Sequence, residues 1–371
     1  MIHIANNFVS SKVHAELIRH LAEEFGRQDV IVPVRRASDV GKNDVDHGSV
    51  NVEYKLFSNR VVRFFPAIKI FFILCKIFSL FKKACAAQGE NKEIFVVAHN
   101  FWSDGMVAFF LSFFFRFRYL MVIRNTDMNI FIPSLFYYRW MMRIAIRRSR
   151  GLVFVSEAHR RRFVERWPAL FKAAGDVWVI PNGVNEYWHR ELSESEDPRG
   201  MVCGFVGRFD KNKNIERIVL SCKAAYEEFE DFRLLMAGGS ERELCDLLRV
   251  QKLPKYVVVR GVIGTTAELR DFYRECRVYV MPSLTETFGL AFIEALSQGC
   301  ALICSRSEGI DGLFDYPYVR SVDPRSVEAI QGAVMDLLVR NPNGLDPVWV
   351  SRAIEPFSWH RIARRYQGCF A

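Results

Sequence analysis

Short apolar runs rich in β-prone residues alternate with stretches of helical pattern from one end of this chain to the other. In the first half the runs are IHIA, VIVPV, IFVVAH, YLMVIR, LVFVS and VWVIP; in the second they are CGFVG, FRLLMAG, YVVVRG, VYVMPS and ALICS. Each precedes roughly 10 to 20 residues of helical pattern, which is the signature of parallel sheets with helices on both faces. At 371 residues the chain exceeds what one core comfortably serves, so two doubly wound domains are expected. Their boundary is placed in NEYWHRELSESEDPRG, residues 185–200, a polar stretch after the turn signal Pro181-Asn182-Gly183.

Open parallel sheets bind ligands beyond the carboxyl ends of their strands, so chemistry is sought in the strand-to-helix turns. In ETFGLAFIEAL, residues 286–296, Glu286 sits on the loop leaving a buried strand and Glu294 one to two turns inside the helix that follows. Between them Gly289 lets backbone approach a ligand, and the N–H groups of Thr287, Phe288, Gly289 and Leu290 at the helix start form an anion site. GRFDKNKN, residues 207–214, follows the strand CGFVG and places Arg208 and Lys213 to hold a diphosphate through charge-assisted hydrogen bonds. Taken alone, two glutamates eight apart across a helix are ordinarily a solvated face. Together with Arg208 and Lys213, at strand ends of one sheet, they describe a pocket for a phosphate whose attached groups offer hydroxyls.

These residues carry a family resemblance. Gly207-Arg208 with Lys213, Glu286 with Phe288-Gly289-Leu290 and Glu294, VIPNGV at 179–184, and Phe357-Ser358-Trp359 resemble the pattern of the retaining nucleotide-sugar glycosyltransferases of the GT-B fold, family 4, also called glycosyltransferase group 1. The resemblance is firm over residues 176–367 and covers the first half only by layout. It implies an α/β fold of two Rossmann-like doubly wound domains facing a central cleft: an acceptor-binding domain over 1–184, a linker over 185–200, a nucleotide-sugar domain over 201–350, and a C-terminal helix over 351–371 that crosses back. It also implies that Arg208 and Lys213 neutralise the donor diphosphate, that Glu286 contacts the donor sugar, and that Glu294 contacts the ribose. Glu286, Arg208 and Lys213 are thus the candidate catalytic residues, and Gly207 and Thr287–Leu290 complete the donor site. The donor is expected to be a UDP- or GDP-sugar. No metal is expected, because two fixed cations and a helix N-terminus can take up the charge on the departing diphosphate. Trp359 is read as a core cap where the last helix returns.

The first half has no glycine-rich turn after its first strand; NNFVSSKVH, residues 6–14, offers Ser10 or Ser11 as a helix cap instead. Arg124 and Asp127 in VIRNTDMN, and His99 and Asn100 in AHNFWSDG, are candidate acceptor-side residues, with Asp104 on the same rim. Asp44-Val-Asp46 imitates a D-x-D metal signature but lies in a polar loop and reads as a surface turn. His and Cys show no zinc-ligand spacing, and nine scattered cysteines fit reduced thiols in the cytoplasm. Charge is concentrated: residues 51–150 hold 16 Lys and Arg against 5 Asp and Glu, whereas residues 201–371 hold 22 of each. With Lys69, Lys76 and Lys83 seven apart on an apolar helix, and Arg139, Arg143 and Arg147 beside FYYRW, this suggests peripheral contact with the anionic inner face of a cytoplasmic membrane. No run reaches the roughly 20 apolar residues of a span, and the N-terminus carries no signal-peptide pattern.

The expected function is therefore a retaining, metal-independent transferase acting on an envelope glycan or glycolipid, such as lipopolysaccharide, O-antigen or a polyprenyl-linked sugar. A GT-B sugar-nucleotide epimerase and a non-enzymatic basic protein binding membrane or nucleic acid are the alternatives. No nucleic-acid motif is present, so no nucleic-acid partner is expected.

Overall fold

The computed structural model describes residues 1–57, 66–89, 93–193, 198–314 and 317–371. The chain forms two units. The first comprises Met1–Val155, Arg160–Gly183 and Trp359–Ala371; the second comprises Ser156–His159 and Val184–Ser358.

Unit 1 is built on a seven-stranded, wholly parallel sheet of β1 (Ile2–Ile4), β2 (Gln28–Val34), β3 (Val50–Leu56), β4 (Phe95–Ala98), β5 (Arg118–Ile123), β6 (Gly151–Phe154) and β7 (Asp176–Val179), in the order β3-β2-β1-β4-β5-β6-β7. The central strands are apolar on both faces and buried, as parallel strands covered by helices must be. One face carries α1 (Lys12–Phe25), the other α2 (Pro66–Ala87), α3 (Met106–Leu111) and α4 (Arg139–Arg148), as the membership of separate core clusters shows. Helix α5 (Glu157–Arg166) follows β6. Ser11 occupies the N-cap position of α1, but neither it nor Ser10 makes a side-chain cap hydrogen bond there, contrary to the expectation from sequence.

Unit 2 has a six-stranded parallel sheet of β8 (Val202–Val206), β9 (Arg233–Ala237), β10 (Val257–Gly261), β11 (Val278–Val280), β12 (Ala301–Ser305) and β13 (Val319–Val322), in the order β10-β9-β8-β11-β12-β13. Helices α6 (Ile215–Ser221), α7 (Glu241–Leu248), α8 (Thr266–Glu275), α9 (Leu290–Ser297), α10 (Val327–Arg340) and α11 (Pro347–Ile354) cover it. Capping boxes start α7 and α8, where Ser240 pairs with Glu243 and Thr265 with Glu268. Gly204 in β8 is obligatory: a Cβ there would lie 2.3 Å from the Cys276 sulfur.

The last helix, α12 (Trp359–Gly368), belongs to unit 1. Trp359, Ile362, Ala363 and Tyr366 share a buried cluster with Leu17 and Leu21 of α1 and with Val97, Leu120 and Val153 of the sheet. Trp359 also lies where a Cβ on Gly183 would be, 2.4 Å from its ring. The stretch expected to be a linker contains a short helix, Glu186–Arg190, capped by the Asn185 side chain. All nine cysteines are unbridged, and Cys304 lies within β12 with Cys300 just before it. Asp44 and Asp46 lie exposed in a loop, with Asp44 accepting the Tyr54 hydroxyl at 2.5 Å. No helix among the described residues is long and apolar enough to cross a membrane.

Candidate active site

In unit 2 the strand order reverses between β8 and β11, and the crevice beyond their carboxyl ends is where a doubly wound sheet receives its ligand. The turn after β8 begins at Gly207, whose N–H donates to the Ala237 carbonyl at 2.9 Å. Gly238, with φ +119°, comes so close that a Cβ on it would sit 2.2 Å from the Gly207 oxygen. The side chain of Arg208 is exposed and has no partner among the described residues. Asp210 accepts the Lys213 N–H at 3.0 Å, and Asn214, left-handed at φ +59°, donates to the carbonyls of Pro282 and Pro324 at 3.0 and 2.6 Å. These bonds hold the Lys213 side chain over the second turn, where Nζ meets Glu286 Oε2 at 2.7 Å.

The second turn follows β11 and is clasped by Asn212. Its Oδ1 accepts the Thr285 N–H at 3.1 Å and the Thr285 hydroxyl at 2.7 Å, while its Nδ2 donates to the Thr285 carbonyl at 2.9 Å. The Glu286 N–H donates to Glu308 Oε2 at 2.9 Å, and its carbonyl accepts the Gly309 N–H at 3.1 Å with His159 Nε2 at 3.1 Å. Glu286 Oε1 accepts the Thr287 N–H at 3.0 Å. That amide is therefore engaged within the protein, a correction to its expected availability for phosphate. Phe288 is buried against Phe357, with ring centroids 5.8 Å apart. Gly289 has φ +83°, and a Cβ there would strike the Phe292 ring at 2.6 Å, so this turn admits only glycine before Leu290 opens α9.

Glu294, one turn into α9, accepts the Tyr273 hydroxyl at 3.3 Å, and burial pushes its carboxyl up to about 7. The buried Tyr279 hydroxyl feels both carboxylates, since burial, then Glu294, then Glu286 raise its pKa. The structure thus gathers Gly207, Arg208, Lys213, Glu286 to Leu290 and Glu294 around one switch point. Resting Lys213 is neutralised by Glu286, while Arg208 remains available; an incoming diphosphate would compete with the carboxylate for the ammonium. Asn212, His159 and Glu308 support this turn and were not singled out from sequence. Asn212 had a signal, its place inside KNKN, whereas His159 and Glu308 approach only through folding.

The four candidates of unit 1 sit differently. His99 is fully buried, with Nε2 3.1 Å from His3 Nδ1 and its ring centroid 4.6 Å from that of His14. Burial and the neighbouring charges hold His3 down to about 4 and His14 and His99 well below the usual histidine range. Arg124 donates to the His99 carbonyl at 3.2 Å and to Asn182 Oδ1 at 3.4 Å, with His14 Nε2 at 3.1 Å. Asp127 is fully buried and accepts the backbone N–H groups of Phe101, Trp102 and Arg124 at 3.0 to 3.1 Å. It ties the β4 and β5 turns together. Asn100 donates to Asp104 at 3.2 Å. His99, Asn100, Asp104 and Asp127 are buried beneath the surface on which a rim had been expected; Asp104 lies within a π-helical turn at Phe101–Gly105 and Asp127 opens another at Asp127–Phe131.

Comparison with known proteins agrees with this geometry. Residues 188–344 match the family model of the glycosyl transferases group 1. An alpha-maltose-1-phosphate synthase of Mycobacterium tuberculosis is 26% identical over 254 residues, which cover 61% of this chain and 64% of that protein. A GDP-mannose:cellobiosyl-diphosphopolyprenol alpha-mannosyltransferase of Komagataeibacter xylinus is 26% identical over 211 residues, covering 52% of this chain and 50% of the other. The match therefore spans less than two thirds of either relative. The solved sucrose-phosphate synthase of Thermosynechococcus elongatus superposes with a TM-score of 0.68 at 20% identity, covering 100% of this chain and 97% of that one, and has the same GT-B fold.

Proposed function

We propose that this chain, whose second unit carries a group 1 glycosyl transferase domain, is a retaining, metal-independent hexosyltransferase. On this reading it moves a sugar from a UDP- or GDP-sugar to an envelope glycan or glycolipid. The observation that supports it is the convergence of Lys213, Glu286 and the Gly289 turn, with Arg208 beside them and Glu294 within α9, at the switch point of unit 2. Glu294 holds the ribose hydroxyls. Arg208, Lys213 and the amides of Phe288, Gly289 and Leu290 receive the diphosphate. As the bond from the anomeric carbon to the diphosphate oxygen breaks, the negative charge collects where these groups already point, so they stabilise the transition state more than the ground state. The acceptor hydroxyl attacks from the same face, and its proton passes to the leaving diphosphate oxygen. Glu286 orients the donor sugar and keeps Lys213 in place.

Peripheral membrane attachment through unit 1 is part of the reading. Phe113 and Phe114 after α3, and Trp140 and Ile144 on α4, are 58%, 66%, 63% and 47% exposed, and Arg148 lies 4.6 Å over the Phe113 ring. Arg143, Arg147 and Arg148 are exposed beside them. Aromatic side chains with arginines among them suit the headgroup region of an anionic bilayer. One part of the lysine stripe is revised: Lys76 and Lys83 are exposed, but Lys69 turns inward.

Thermal shift and donor hydrolysis across UDP-, GDP-, ADP- and CMP-sugars, with and without EDTA, test the donor reading. One nucleotide should stabilise and be hydrolysed equally in both; a response abolished by EDTA overturns the metal-free mechanism. Co-sedimentation with vesicles containing phosphatidylglycerol tests the membrane reading, and a protein that stays in the supernatant at low salt rejects it.

A further inference from the structure

Unit 2 contains a cavity of about 880 Å³ set apart from the donor turns. Strands β8 and β9 begin at it, through Val202 and Arg233, whereas Gly207 leaves β8 at its other end. Five arginines line it, Arg190, Arg199, Arg233, Arg260 and Arg274, against two carboxylates, Glu191 and Glu275. Both carboxylates are taken, Glu275 by Arg260 at 2.6 Å and Glu191 by Arg270, outside the lining, at 3.1 Å; Arg190 is answered by Glu186 at 2.6 Å. The guanidinium groups of Arg199, Arg233 and Arg274 make no ion pair among the described residues. Neutral acceptors fix two of them, and both converge on the buried Gln298: Arg199 donates to its carbonyl at 2.5 Å and Arg274 Nε to its side-chain oxygen at 2.8 Å. Arg199 also donates to the Cys276 carbonyl at 2.8 Å, and Arg274 Nη2 to the Glu191 and Leu192 carbonyls at 3.2 and 3.3 Å. The exposed Arg233 side chain, where β9 opens, has no partner among the described residues.

We propose that this cavity is a binding site for a small anion carrying two or more phosphate groups. Like charges gathered around one space cost free energy, which an anion among them offsets. The carboxyl end of α8, which Arg199 meets at Cys276, supplies only about half a negative charge, so most of the surplus stands. Guanidinium forks match phosphate oxygens in pairs, and the Arg233 fork and Nη1 of Arg274 are not spent on protein oxygens. The volume is that of a small-molecule site and exceeds a single phosphate. No aromatic ring is among the described residues that line it, so there is no platform for a base, which separates this ligand from the nucleotide of the donor turns. The site does not rest on the transferase reading.

The test reads the arginines one by one. The full chain is labelled with phenylglyoxal in phosphate-free buffer, and the extent at each arginine is measured by peptide mass spectrometry. The probes are inorganic phosphate, tripolyphosphate and fructose 1,6-bisphosphate. At about ten times the dissociation constant roughly a tenth of the sites stay empty, so labelling of Arg233 and Arg274 should slow about tenfold. Slowing by tripolyphosphate alone identifies a bare phosphate chain, and slowing by the bisphosphate a phosphorylated sugar; either supports the site. In Arg233→Gln, whose altered side chain holds nothing in the fold, the concentration that half-protects Arg274 should rise about tenfold. No slowing with any probe, equal slowing at exposed Arg242 on α7, inorganic phosphate acting as strongly as the other two, or an unchanged Arg274 response in Arg233→Gln overturns it. Arg208, read in the same digest, reports the donor turn separately, so this site and the transferase reading can fail independently.

Discussion

Glu294 is a carboxyl group held where ionisation is costly, and that gives a prediction with a definite sign. Its folded-state value, about 7, lies above the 4.5 of an ordinary glutamate. Its contribution to stability is therefore fully present below about pH 4.5 and is lost as the pH rises through about 7. Ribose hydroxyls donate to the ionised form, so nucleotide affinity should rise across the same window. Calorimetric titration of UDP or GDP from pH 6 to pH 8 should show this rise, and Glu294→Gln should remove that part of it and weaken binding about tenfold. Equal slopes in both proteins would detach Glu294 from the ribose. Lys213→Ala and Arg208→Ala should lower kcat by about 10²- to 10³-fold with smaller changes in KM, as loss of a charge-stabilising donor does; steady-state kinetics showing only a KM effect would place them in ground-state binding. Arg208, Lys213 and Glu286 could be found in the sequence because each stands a few residues beyond an apolar strand, and Glu294 because it lies on the helix that follows Glu286. Glu308 and His159 could not, since 22 and 127 residues separate them from the Glu286 backbone they support.

At the scale of elements, the turns tolerate little. Gly289→Ala would place a methyl against Phe292 and force a left-handed residue, so it should destabilise unit 2 and reduce nucleotide binding together. Unchanged urea midpoints would show that the turn relaxes. In unit 1, Trp359→Ala empties the space between α12, α1 and the Gly183 turn, and should cost about 3–5 kcal/mol in denaturant unfolding; a loss below about 1 kcal/mol would mean that α12 contributes little to that core. Eleven strands were legible as apolar runs, and the two that were missed, β3 and β13, are edges of their sheets. An edge strand is half solvated, so VNVEYKL alternates with polar residues and VRSV is short and charged. The inward folding of Asp104 and Asp127 was equally invisible, because a π-helical turn leaves no periodic mark in the residues that form it.

For the whole molecule, two cores imply two melting events. Scanning calorimetry should resolve a transition for each unit, and the accepted nucleotide should raise only the one belonging to unit 2, by mass action on its native state. A single transition that moves as one would show the units to be energetically fused. The path of the chain has a further consequence for how the protein is made. The segments of unit 1 up to Gly183 are synthesised first, yet the apolar stripe of Leu17, Leu21, Val97 and Leu120 waits for a helix that begins at Trp359. At roughly 5–20 residues per second the ribosome leaves that stripe bare for about 10–40 s. Unit 2 can condense during that interval, so the half of the protein that leaves the ribosome first is the half that finishes folding last.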